Sequence, residues 1–487
     1  MRKTYLLIVL VILSIRSFAV YDVNENCKKA WMLLMDLRID EAKRLLVQEN
    51  RLNPDNYYAY YLDQTCDAYG LLINSDKADY EKFVEDYDRK REIMDGHDED
   101  SPYYLACAAE MELQVCIFGV IHGSQWSAYM KGYSAYKDTY SNLDRFPDFK
   151  PSLKLDGFFN VALANMPPFA KWLIGFFGVS ANIDYGFRVL RENYNTQKDV
   201  MGLNAESALF IFLAATINKT PEMVYDFSRS LDNSIANAFI FQYFRANTAY
   251  RIGRNDEALM DLLQIRNPSE PYAELIYNYM MGKILLRKLD PGSVKYIQKY
   301  LGHLKKAEYK KEMNYNLAIY YLINGDRQKY LDYCEIVKNT GTDLNERDHE
   351  ALYEANLDYK PDVNLIKARL SLYGGYSEEF SYSMKQYLES NDGIFAHKIE
   401  YQFLLARYNN VQSNDTAAIQ GFLKVIEMGE EEPYYFASEA ALRLGNIYKG
   451  KGQVQLAKMY YEKSIKLFES NYYEYILSMA KNGLASL

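Results

Sequence analysis

The chain has 487 residues, a formal net charge of −9, and an aromatic content of 15% that is supplied mostly by 47 tyrosines. Such a length exceeds one ordinary compact core, so several domains or an elongated array are expected. The acidic balance argues against nucleic-acid binding, which needs a basic face to release counterions, and the modest Pro and Gly content argues against disorder.

The first element is an address. Arg2 and Lys3, an apolar run over 5–15 and the small-x-small site Ser17-Phe18-Ala19 have the order of a secretory signal peptide, 1–19, cleaved after Ala19. Its apolar core is too short to span a bilayer comfortably. Cys27 lies eight residues past the site, so no cysteine directly follows the cut for lipid attachment. The protein is expected to be exported: periplasmic if the source is Gram-negative, secreted otherwise. Five cysteines, Cys27, Cys66, Cys107, Cys116 and Cys334, form no CxxC and read as small buried residues. Export would permit a disulfide, but spacing assigns none.

Residues 20–152 carry apolar side chains at helical spacing. Ala30, Ala42 and Leu46 are offset by 12 and then 4, the pattern of a helical hairpin whose small residues let two backbones meet. Further helices are predicted over 57–72, 78–94, 102–121 and 125–142, with Ser101 as N-cap and Pro102 in the first turn. The acidic loop 95–100 lacks the alternating oxygens and late bidentate Glu of a calcium loop and reads as solvated.

Residues 153–193 break the pattern. Asn165-Met166-Pro167-Pro168 must end one helix, and Trp172, Phe176 and Phe177 lie in an intensely apolar run. Asn182 or Asp184 can cap the next helix. This module is expected as a buried helical hairpin, in which Asn160 must be hydrogen-bonded.

Residues 194–471 read as repeats. A helix pair over 206–217 and 221–231, with Thr220-Pro221 as cap and first turn, leads into them. Ala246/Ala258/Leu262, Gly282/Val294/Gln298, Ala318/Tyr330/Cys334, Ala368/Phe380/Met384, Ala406/Ala418/Phe422 and Gly445/Ala457/Tyr461 all keep the 12-then-4 offsets. An insertion falls around 340–359, and Pro271, Pro291, Pro361 and Pro433 fall where helices should begin. The last unit, with Leu444-Gly445, Tyr448, Gly452, Ala457, Tyr461 and Ser464, is a tetratricopeptide unit with an aromatic wedge between its helices. The tail, 472–487, places Tyr472, Tyr475, Ile476, Met479, Ala480, Gly483 and Leu484 on one face to cap the stack. The expected fold is all-α: a tetratricopeptide-type helical-hairpin solenoid with an apolar non-repeat hairpin in its middle.

Gly157-Phe158-Phe159-Asn160, Met166-Pro167, Phe177-Gly178 and Asp184-Tyr185-Gly186-Phe187 with Leu190 resemble the signature of the tetratricopeptide repeat protein 39 family. That family includes fungal relatives linked to the mitochondrial outer membrane and lipid droplets. The order of parts is also similar: an N-terminal helical region, the signature, then repeats. Val179 stands where the family usually has Phe, and Ala181-Asn182 where it has Gly-Asp. The signal peptide departs from those intracellular relatives, and the resemblance brings no catalytic residues with it.

The search for chemistry finds no catalytic, cofactor or metal site. The five histidines are scattered, His349-Glu350 lacks the second His of a zinc helix, and Gly450-Lys451-Gly452 is an inter-helix turn. The expected function is a non-catalytic scaffold that binds a protein or peptide segment on its concave face. The alternative is a small apolar ligand, a lipid or glycan, beside the Phe/Trp-rich hairpin. The position after each first close-contact residue gives Asn247, Lys283, Ile319, Arg369, Arg407 and Asn446, with Tyr243, Tyr279 and Tyr315 one turn earlier. No acid occurs among them. An acidic or C-terminal peptide is therefore expected there, oriented by Arg369 and Arg407, whose planar forks suit carboxylates.

Overall fold

The computed structural model describes residues 20–166, 181–197, 202–265, 268, 270–390, 393–468 and 474–487. These form 25 α-helices and no strand. The chain divides into two compact units: unit 1 runs to Thr248 and includes Asp261–Ile276, and unit 2 comprises Ala249–Met260 and Tyr277–Leu487. The signal peptide and Trp172, Phe176 and Phe177 lie outside the described residues.

Unit 1 opens with α1 (Glu25–Met35), α2 (Ile39–Leu52), α3 (Tyr57–Asn74) and α4 (Lys77–Met94), followed by α5 (Pro102–Ile121) and α6 (Gln125–Arg145). Local chemistry sets their ends. Asn24 caps α1, Asp76 and Asp79 close a reciprocal capping box on α4, and Ser101 accepts from the Tyr103 amide ahead of Pro102. Ala30, Ala42 and Leu46 are fully buried, as the spacing predicts. By length and apolarity alone α5 could cross a bilayer, yet most of it packs inside unit 1, and it carries Glu110 and Glu112.

The described part of the family-like signature, around Gly157 and Gly186, is a helix crossing. A Cβ on Gly157 in α7 (Leu153–Ala164) would stand 2.8 Å from the Gly186 carbonyl of α8 (Ile183–Thr196), and one on Gly186 would stand 2.6 Å from the Gly157 carbonyl. Only two glycines let these backbones approach so closely. Asn160 is buried beside them. Its Nδ2 donates to Asp156 Oδ1 at 3.0 Å, and its Oδ1 accepts from the Asn182 amide at 3.2 Å. Of the two candidate caps, Asn182 serves, accepting from the Tyr185 amide at 2.9 Å. The helices α9 (Leu203–Ile217), α10 (Pro221–Arg229) and α11 (Asn233–Ala236) follow. Thr220 precedes Pro221 but makes no capping bond, and among the described residues its buried hydroxyl has no hydrogen-bond partner.

Next come α12 (Phe239–Arg251) and α13 (Asn255–Gln264), and the later hairpins pair α14 (Pro271–Arg287) with α15 (Ser293–His303) and α16 (Lys310–Ile323) with α17 (Arg327–Asn339). A single helix, α18 (Glu346–Ala355), comes next. Then α19 (Val363–Gly374) pairs with α20 (Ser377–Ser390), α21 (Phe395–Val411) with α22 (Asp415–Gly429), and α23 (Phe436–Gly450) with α24 (Val454–Leu467), before the tail helix α25 (Glu474–Ala485). The hairpins are of the tetratricopeptide type: Ala318, Ala368, Ala406, Ala418 and Ala457 are buried at their crossings. Tyr461 is the wedge of the last one, packed against Gly445 on one side and Gly483 of α25 on the other.

One repeat departs from the predicted register. Gly282 faces Ile297, while Val294 is half-buried and Gln298 exposed. Ser293 and Ile297 take the buried places, because the turn through Asp290, which accepts from the Gly292 amide at 2.7 Å, starts α15 eleven residues after Gly282, where α17 starts nine after Ala318. The insertion is also more than a loop. It contains α18, whose Asp348 accepts from the amides of Tyr309 at 2.5 Å and Glu312 at 2.8 Å and so caps the start of α16.

Candidate functional site

In unit 2 the first helices of successive hairpins lie side by side: α16 against α18 and α19, α19 against α21, α21 against α23, and α23 against α25. A polar row runs across them. The Tyr279 hydroxyl donates to Glu312 Oε2 at 2.7 Å, and Lys283 Nζ donates to Glu312 Oε1 at 2.6 Å. Glu354 of α18 accepts from Tyr315 at 3.1 Å and from Arg369 Nη1 at 2.6 Å. Arg347 pairs with Glu350 at 3.0 Å, and Arg443 with Glu439 at 2.7 Å.

These pairings decide the ionisation. Burial would lift Glu312, but Lys283 and Arg347 hold its carboxyl below the usual range. At Glu400 burial prevails over Arg369, whose Nε stands 3.6 Å away, and the carboxyl is raised. Around Glu354, Arg369 and Glu400 a cavity of about 10 Å³ remains, room for roughly one water. This part of the row is closed.

The row bends until distant turns meet. Arg287 Nη1 donates to the carbonyls of Tyr250 at 2.5 Å and Tyr373 at 3.1 Å, and its Cζ lies 3.4 Å from the Tyr250 ring centroid. Arg287 and Arg407 both place Cζ 6.0 Å from the centroid of Tyr373. Arg347 remains half exposed, at 51% of its side chain.

Arg407 is the exception in the row. Among the described residues it donates no hydrogen bond, and its Nε is shut off from water. Burial first, then the charge of Arg443, holds this guanidinium below its usual value. An unmet buried donor costs about 1–3 kcal/mol.

No protein-family model matches the chain, and no curated protein matches it. Two solved structures are similar over nearly the whole length. One is the human IFIT1 dimer with m7Gppp-AAAA, at 11% identity and a TM-score of 0.31, covering 96% of this chain and 91% of that one. The other is the APC/C hetero-tetramer Cut9-Hcn1, at 10% identity and a TM-score of 0.23, covering 95% and 96%. The repeat architecture rests on this chain's own hairpins.

Of the nine residues predicted along the groove, Tyr243 and Asn247 belong to unit 1, where both are half-buried, and Ile319 is buried in the core of unit 2. The other six belong to unit 2. Tyr279, Lys283, Tyr315 and Arg369 are joined through Glu312 and Glu354, Arg407 stands beside Tyr373, and exposed Asn446 accepts from the Tyr461 hydroxyl at 2.8 Å. Sequence reading missed the acids. Glu312, Glu400 and Glu439 each stand six residues before a first close-contact residue, Ala318, Ala406 or Gly445, and that recurrence was a usable signal. It also missed Arg347, Glu350 and Glu354, which the insertion supplies.

Unit 1 holds an open cleft of about 580 Å³ along α8 and α10. Asp184, Arg188, Arg191 and Glu192 line it beside Phe187 and Met223. Among the described residues no His, Cys, Asp or Glu group is arranged to hold a metal.

Proposed function

We propose that the protein is an exported, non-catalytic scaffold that holds a protein or peptide segment, acidic in character, on the first-helix face of unit 2. The observation that carries this reading is that Arg287 of α14 and Arg407 of α21 both reach Tyr373, with Arg443 of α23 close enough to act on it, Arg347 of α18 half exposed, and Arg407 without a hydrogen-bond partner among the described residues. Such a face offers rigid amphipathic area from tyrosine and directional donors from arginine, the pairing that recognition surfaces favour.

Export is supported by the N-terminal address alone, and a mature protein whose first residue is Val20 is the expected result of N-terminal sequencing. The binding face is tested by site-specific photocrosslinking in the native envelope fraction. A photoreactive residue at Arg347 or Asn446 should capture one partner repeatedly, whereas the same residue at Tyr382 or Met459, exposed on second helices, should not. Equal capture from both sets would reject the first-helix face as the binding site.

A further inference from the structure

Six basic side chains stand on the polar row of unit 2, and four have a carboxylate. Lys283 has Glu312, Arg347 has Glu350, Arg369 has Glu354, and Arg443 has Glu439. Arg287 and Arg407 have none within ion-pair distance among the described residues. Arg287 is held by two backbone carbonyls, which direct it without neutralising it. Arg407 is held by nothing but the neighbourhood of a ring.

The surroundings of Arg407 make the gap specific. The charged and titratable groups that act on it are Arg443 and Glu439 of α23, Tyr373 of α19 and Tyr475 of α25. Glu439 is already engaged by Arg443 through both Nε at 3.2 Å and Nη2 at 2.7 Å. The Tyr373 centroid lies 6.0 Å from Cζ of Arg407 and of Arg287, two cations with no acid within ion-pair distance among the described residues. Elsewhere in the unit a buried base has its acceptor: Lys311 Nζ donates to the Val337 carbonyl at 2.7 Å.

We infer that Arg407, beside Tyr373, forms a seat for one compact oxyanion carried by the ligand, a carboxylate or a phosphate group. The inference rests on the proposed first-helix binding face and names the chemistry recognised there. A two-oxygen anion matches the planar fork of a guanidinium and supplies the charge that the row lacks. Arg369, closed in by Glu354, is not part of the seat.

The test is arginine modification by phenylglyoxal on the full protein, mapped by mass spectrometry. The competing probes are N-acetyl-glutamate amide, N-acetyl-alanine, inorganic phosphate and N-acetyl-glutamine amide. Modification of Arg407 should slow by about tenfold at ten times the dissociation constant of a seated probe, with no change from the uncharged glutamine amide. Protection by the glutamate amide assigns a side-chain carboxylate, by acetyl-alanine a chain end, and by phosphate a phosphorylated group. Protection by none of the three overturns the seat. A second measurement uses R407Q, which should lose the thermal shift that the effective probe induces, and retention of that shift also overturns it. If either seat test fails while the protein still crosslinks its partner through position 347 or 446, the binding face stands and the seat alone fails. Crosslinking confined to second helices removes the face itself.

Discussion

The Tyr376 hydroxyl donates to Asp256 Oδ1 at 2.8 Å, across 120 residues of chain. The same hydroxyl accepts from Asn255 Nδ2 at 2.9 Å, and Lys288 Nζ reaches Asp256 at 2.7 Å. Hairpin turns far apart in sequence are thereby fastened together within unit 2, and this closure brings Arg287 to Tyr373.

Gly375 makes the closure possible. Its φ is +82°, and a Cβ there would lie 2.3 Å from the Gly253 carbonyl. Gly452 has a φ of +69° with open space around it. G452A should cost about 1–2 kcal/mol for its left-handed backbone alone. G375A should cost that and a further increment, because one backbone must move. Urea unfolding of the two variants measures the difference, and equal losses would mean that the turns are not in contact.

Lys283 and Glu312 are both about nine-tenths buried. K283M strands the Glu312 carboxylate and should cost about 3–5 kcal/mol, while K283M/E312L should recover much of that loss. The comparison is a double-mutant cycle in chemical denaturation. A double variant no more stable than K283M would show that the pair is not coupled.

The α7–α8 crossing predicts a third result. G157A and G186A each drive a Cβ to within 3 Å of the opposite backbone, and each should destabilise unit 1 by about 1–3 kcal/mol through overpacking. N160A removes the acceptor of the Asn182 amide and should cost a similar amount. Variants with unchanged melting would mean that the signature glycines serve something other than this approach.

The hairpins were legible because a close helix crossing is a local requirement: small residues at fixed offsets let two backbones meet, and Ala318, Ala368, Ala406 and Ala457 report it directly. The register of the Gly282 repeat was not legible, since Asp290, Pro291 and Gly292 delay the start of its second helix while the left-handed residue before them, Leu289, has counterparts in Gly325 and Ser413 of repeats that keep the register. The candidate site was legible only by position. Counting along the first helices found Lys283, Arg369 and Arg407, but whether each is neutralised depends on acids of neighbouring helices. Glu354, which neutralises Arg369, sits on a helix inside a segment that has no repeat spacing, so only the tertiary structure separates Arg369 from Arg407.

Unit 1 contains a buried cluster whose titration should be visible in its stability. Lys154 Nζ lies 2.6 Å from Glu110 Oε1 and also contacts Glu206, and the Tyr61 hydroxyl lies 2.7 Å from both Glu110 Oε2 and Glu206 Oε1. One hydroxyl has one hydrogen, so two such contacts require a second hydrogen on a carboxyl. Burial, followed by the charge of Glu206, lifts Glu110 to about 8, which places that hydrogen on Glu110 at neutral pH. An unfolded Glu titrates near 4.5. Between those values the folded chain holds a proton that the unfolded chain has released, so stability falls as pH rises from about 4.5 to about 8. The slope from one proton is at most about 1.4 kcal/mol per pH unit. Lys154 is raised as well, because Glu110 and Glu206 outweigh its burial. Its contribution is complete below the unfolded lysine value and is lost only at higher pH, outside this window. E110Q keeps the shape, donates to Tyr61 and accepts from Lys154, and has no proton to lose. Urea midpoints at pH 5, 6, 7 and 8 should therefore decline in the wild type and decline less in E110Q. Parallel pH profiles for the two proteins would place the proton elsewhere.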